Sequence, residues 1–61
     1  MELYYGVIYF KNGSQVKTGT FSGAGADRAC ERATAQQFDR YMSTAVSDFF
    51  KPTRYEVKVQ K

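Results

Sequence analysis

Histidine and tryptophan are absent from this 61-residue sequence, and cysteine and proline occur once each. Each absence removes a class of chemistry. Without histidine there is no Ser-His or Cys-His nucleophile pair, and one cysteine makes neither a zinc cluster nor an internal disulfide. Branched aliphatic side chains are scarce as well: Leu, Ile and Val together number seven, against five Tyr and five Phe. Burial therefore falls to aromatic rings and to the six alanines. A chain of this length withdraws only ~60% of its unfolded surface from water, so a single compact domain over residues 1–61 is expected, with a stability margin that self-association would widen. No apolar run approaches the ~18 residues of a membrane helix, and the opening MELYYGVIYF carries neither a basic leader nor a small-residue cleavage site. Together with the lone Cys30, these features point to a cytoplasmic protein with no membrane contact.

Charge is the next constraint. Nine basic and six acidic residues give a formal charge of +3 and a pI near 9.2. The excess lies at the C-terminal end, where Lys51, Arg54, Lys58 and Lys61 face only Glu56. Such a balance suits an acidic partner without requiring one.

Three segments carry recognisable periodicity. Leu3 to Phe10 is rich in aromatic and β-branched residues and runs into Asn12-Gly13, the dipeptide suited to a two-residue type I′ hairpin. That turn would set Tyr9 opposite Val16, Val7 opposite Thr18, Gly6 opposite Gly19 and Tyr4 opposite Phe21. From about Gly25 to Asp48 the composition shifts to helix formers, with Asp27 and Glu31 near the start and Pro52 beyond the end. Tyr55, Val57 and Val59 then alternate with Arg54, Glu56, Lys58 and Gln60, the period of a half-buried strand. The fold class read from this order is α+β: a ββαβ domain with a three-stranded antiparallel sheet in order 2-1-3 and one long helix packed on one face.

Strand alternation divides the sheet into two faces. One carries Tyr4, Gly6, Ile8, Phe10, Lys17, Gly19 and Phe21, and the other Leu3, Tyr5, Val7, Tyr9, Val16, Thr18 and Thr20. Glycines on the first face would admit a helix lined with Ala26, Ala29, Cys30 and Ala33, with Phe38, Tyr41, Met42, Ala45 and Phe49 filling the rest. The competing arrangement buries Leu3, Tyr5, Val7 and Tyr9 instead, and a one-residue bulge would exchange the faces. In the first arrangement Tyr5, Val7, Tyr9 and Val16 lie on an open face beside Arg54, Glu56 and Lys58, an aromatic and partly basic surface of the kind that marks contacts. Sheet-on-sheet pairing of two copies is one way to cover it, so a homodimer is expected.

Other chemistry is thin. Asp27 and Glu31, one helical turn apart, are more simply partners of the helix dipole than an acid-base pair, and Cys30 reads as a small buried hydrophobe. Ser22-Gly23-Ala24-Gly25 precedes a helix as phosphate loops do, but lacks their Gly-Lys-Ser/Thr ending and reads as a turn. Arg32, Gln36 and Arg40 form a polar stripe along the helix, a secondary contact surface. No catalytic residue, metal ligand, cofactor or small-molecule substrate is indicated. The sequence thus points to a small non-enzymatic binding protein that occupies the surface of a protein partner as an inhibitor, adaptor or regulator, a size shared with many compact phage-encoded regulators. Tyr5, Val7, Tyr9, Val16, Arg54 and Lys58 are its candidate contacts. The alternative is a nucleic-acid module in which Tyr5 and Tyr9 stack bases while Arg54 and Lys58 hold phosphates.

Overall fold

The computed structural model describes residues 2–60. Strand β1 (Leu3–Phe10) and strand β2 (Gln15–Ser22) form a hairpin, helix α1 (Ala26–Thr44) follows, and a 3-10 turn (Asp48–Phe50) leads into strand β3 (Pro52–Gln60). The sheet is antiparallel in the order β2-β1-β3. This is the expected ββαβ arrangement.

The helix lies against the face carrying Gly6 and Ile8, and the spacing of small residues explains how. Ala26, Cys30 and Thr34 recur every four residues, so they line one stripe of α1, and all three are buried. Thr34 sits directly over Gly6: a Cβ built on that glycine would fall 1.9 Å from the Thr34 Oγ1. Only hydrogen fits there. The Thr34 hydroxyl is buried yet satisfied, donating to the Cys30 carbonyl at 2.7 Å. Beside this close approach Ile8 is completely enclosed, a burial worth about 1.5 to 3 kcal/mol. Towards the other end of the helix rings take over. Phe10 meets Tyr41 edge to face at 5.2 Å, and Phe38 meets Tyr55 at 5.5 Å. The expected core is thereby realised at Ala26 and Cys30 and, half-buried, at Phe38 and Tyr41, whereas Ala29 and Met42 are exposed and Thr34 takes a place that the sequence did not indicate.

Three local expectations are corrected. The hairpin loop holds three residues, not two: Phe10 pairs across to Ser14, donating its N–H to the Ser14 carbonyl at 2.9 Å, and Gly13 donates to the Phe10 carbonyl at 3.0 Å. Gly13 adopts φ 91°, the left-handed conformation that such a loop requires at its last position. Asn12 completes it by accepting from the Ser14 N–H and hydroxyl at 2.9 and 2.6 Å. The longer loop slips the pairing by one, so Val16 stands opposite Ile8 and Lys17 opposite Val7. A bulge then absorbs the slip, with Thr18 and Gly19 together opposing Gly6, and the expected pair Tyr4 with Phe21 is recovered. The Gly6 N–H is met inside the bulge by the Thr18 hydroxyl oxygen at 2.8 Å. Thr18, expected on the open face, is buried there.

Helix α1 also stops at Thr44, short of Asp48. The Ser43 and Thr44 hydroxyls both donate back to the Arg40 carbonyl, at 3.1 and 2.8 Å, and Ala45 is extended. Such hydroxyls offer the backbone local alternatives to helical bonding, and the chain leaves the helix where two occur in succession. Phe49, expected in the core, is consequently carried into the 3-10 turn and exposed.

Gly6→Ala should destabilise the fold by about 1 to 3 kcal/mol through overpacking against Thr34, seen as a lower urea midpoint. Combining it with Thr34→Ala, which removes the Oγ1 and Cγ2 atoms, should recover part of that loss; equal midpoints for wild type and Gly6→Ala would refute the close approach. Cys30, fully enclosed, should resist thiol reagents in the native protein and react on unfolding. Cys30→Ser should cost about 1 to 3 kcal/mol, because it buries a hydroxyl in a site built for a thiol.

Candidate functional site

The sheet face turned away from α1 gathers side chains from all three strands. Strand β1 contributes Tyr5, Val7 and Tyr9. Opposite them on β3 stand Lys58, Glu56 and Arg54, and opposite Val7 on β2 stands Lys17. Alternation along β1 puts these residues on this face because Gly6 and Ile8 are committed to the helix.

The tyrosines and cations are paired. The Lys17 ammonium lies 4.4 Å from the centre of the Tyr5 ring, and the Arg54 guanidinium lies 4.0 Å from the centre of the Tyr9 ring. Each such stack is worth about 0.5 to 1 kcal/mol at an exposed site. Arg54 also forms an ion pair with Glu56. Val7 stands between Lys17 and Glu56 on this face and retains only 6% of its exposure, so it is these neighbouring side chains that cover it. Val7 is thus buried, in place of the exposed contact expected from sequence.

Charge is tuned by the same neighbours. The Arg54 guanidinium holds the Glu56 carboxyl below its ordinary value, with the Tyr9 hydroxyl assisting, and Glu56 in turn raises Arg54. The Tyr9 hydroxyl, followed by the Glu56 charge, raises the Lys58 ammonium. Glu56 is therefore ionised through the neutral range and any stabilisation it confers is present there, to be lost as acid takes the pH down through its depressed value. Being exposed, it confers little.

Other candidates fall elsewhere. Val16, expected on the open face, lies on the helix face because of the three-residue loop, and is half-buried opposite Ile8. Lys17, expected on the helix face, replaces it on the open face; the signal was the Asn-Gly loop length, which residue identities left undecided by one position. Arg32, Gln36 and Arg40 are all exposed on α1, and Gln36 and Arg40 border a shallow depression with Ala33 and Gln37. Asp27 accepts the Arg28 N–H at 2.8 Å, and Glu31 accepts from the Tyr55 hydroxyl at 3.4 Å, so the two carboxylates serve separate partners. The Tyr55 hydroxyl is raised from its usual value, by burial first and then by Glu31. A second exposed surface collects Val46, Phe49 and Phe50, the last two in edge-to-face contact at 5.4 Å. Beside them Asp48 pairs with Lys51 at 3.1 Å, which holds the Asp48 carboxyl below its ordinary value.

Among the described residues no group of three or more His, Cys, Asp or Glu side chains comes together, and no helix is long and apolar enough to cross a membrane. Comparison with protein-family models, curated proteins and solved structures returns no match.

Arg54→Gln should move the Glu56 titration up towards the ordinary glutamate value, as followed by NMR. A titration midpoint unchanged from wild type would refute the Arg54–Glu56 pairing as its cause.

Proposed function

We propose that the protein is a non-enzymatic binding module that lays its open sheet face against an acidic surface of a protein partner, acting as an inhibitor, adaptor or regulator. The observation that carries this reading is the alternation of Lys17, Arg54 and Lys58 with Tyr5, Tyr9 and Glu56 over a roofed Val7. The face carries more cations than carboxylates. Tyrosine and arginine together supply large contact area, directional donors and planar pairing with carboxylates, the combination enriched where interfaces concentrate their affinity.

Nucleic acid is the second reading, favoured by the arrival of Lys17 as a third cation beside the two rings. Protein is preferred for two reasons. The cations lie over the tyrosine faces that bases would need for stacking, and Glu56 interrupts the positive charge along β3.

Affinity capture with the whole chain as bait, with and without nuclease, tests the proposal. A defined set of acidic proteins should survive nuclease and be lost with Lys17→Glu combined with Arg54→Glu, whose helical circular dichroism should match wild type. Loss on nuclease treatment, or capture indifferent to the two reversals, would overturn it. In the nucleic-acid case, fluorescence anisotropy with a labelled single strand would show log K falling against log salt with a slope near −2, for about three phosphate contacts at ~0.7 each.

A further inference from the structure

Strand β3 is an edge of the sheet, and among the described residues no other strand covers it. Its outward hydrogen-bonding groups can be assigned from β1. Gly6 sends its N–H to Thr18 Oγ1 and Phe10 sends its N–H to the Ser14 carbonyl, both on the β2 side. The Tyr9 carbonyl points the other way, accepting from the Thr53 hydroxyl at 3.3 Å. Backbone direction alternates along a strand, so Leu3, Tyr5, Val7 and Tyr9 bond to β3, through Gln60, Lys58, Glu56 and Arg54. Tyr55, Val57 and Val59 therefore turn their N–H and C=O groups outward.

Along most of its length this edge has no bulge to blunt it. Pairing runs without interruption from Arg54 to Gln60, the only irregularity lying between Tyr9 and Phe10 at the Pro52 end. The opposite edge, on β2, is broken by the Thr18–Gly19 bulge. Bulges blunt sheet edges, whereas a long regular edge is a template for another strand.

We propose that the occupant of this edge is a second copy of the chain, with β3 pairing antiparallel to β3 across a two-fold axis through Val57. Directly opposed residues must share a sheet face, so candidate registers differ by steps that the charges can distinguish. An axis through Glu56 would set Glu56 against itself and Arg54 against Lys58. An axis through Val57 sets Glu56 against Lys58 of the second copy, twice over, and Arg54 against Gln60. It also pairs every outward group of Tyr55, Val57 and Val59, and it lays Tyr55 beside Val59, an apolar residue left 40% exposed. An axis through Tyr55 would also oppose unlike charges, but it leaves Val59 bare, draws in the irregular Pro52 end and competes with the existing Arg54–Glu56 pair. The outcome is a six-stranded sheet with both helices on one face and both tyrosine–cation surfaces on the other. It is distinct from the proposed function, since the two copies join through the backbone edge of β3, although the Glu56 and Lys58 side chains that set its register also lie on the open face.

Light scattering after size exclusion, with no other protein present, tests the dimer and its register. Wild type at micromolar concentration should run at twice the 6.9 kDa chain mass. Glu56→Lys and Lys58→Glu should each weaken association by about tenfold or more, because each makes two opposed pairs alike in charge. The double variant Glu56→Lys with Lys58→Glu restores opposite charges and should regain the dimer. Circular dichroism of all three should match wild type, since these side chains are on the surface. A chain mass of 6.9 kDa at every concentration, a dimer indifferent to both single reversals, or a double variant that stays monomeric would overturn the proposal.

Discussion

The contact on which the rest of the structure depends is the approach of Thr34 to Gly6, where no Cβ intervenes between helix and sheet. A side chain on β1 at this point would lift α1 away and open the space now closed around Ile8 and Cys30, both fully buried. Dispersion falls steeply with distance, so in a chain with so few aliphatic residues the closeness of packing matters as much as the area covered. The close approach also decides which face of the sheet is left open. With Gly6 and Ile8 under the helix, alternation sends Tyr5, Val7 and Tyr9 to the other side, and the surface available for binding is settled by a residue that takes no part in it.

That open surface is protected by its own charges. Lys17 and Arg54 lie over Tyr5 and Tyr9, and the group shelters Val7, so the face has an apolar layer without an apolar exterior. A sheet-on-sheet dimer through Tyr5, Val7, Tyr9 and Val16 loses much of its rationale in consequence. Two of its four residues are covered, Val7 by this roof and Val16 by its place on the helix side, and two such faces would bring like charges together. Among the described residues, the surfaces left without a partner are instead the β3 edge and the exposed Val46, Phe49 and Phe50 beyond the helix.

The hairpin shows how two irregularities of one residue each can compensate. The three-residue loop shifts pairing near Tyr9, and the bulge at Thr18–Gly19 restores it near Tyr4. Between them the chain exchanges the faces of Val16 and Lys17, replacing an aliphatic residue with a cation on the open surface. Asn-Gly is compatible with loops of either length, because glycine accepts positive φ in both. The choice rests on which cross-strand pairs the helix then buries: Val16 beside Ile8 places an aliphatic side chain under α1, whereas Lys17 in that position would have required burial of a charge.

The sequence by itself determined the elements, their order and the glycine that marks the helix face. Those features follow from local periodicity, turn chemistry and the loss of a single Cβ, all written in neighbouring residues. It also placed Tyr5, Tyr9, Arg54 and Lys58 together, since period-2 alternation carries each to one side. The tertiary structure alone decided the register of β2, the burial of Thr34 and the covering of Val7. Each of these compares free energies across elements distant in the chain: a threonine enclosed against a glycine of β1, a cation lying over a ring on the next strand, a loop lengthened so that a valine and not a lysine meets the helix. Such comparisons depend on distances between side chains, and those exist only once the sheet and helix have met.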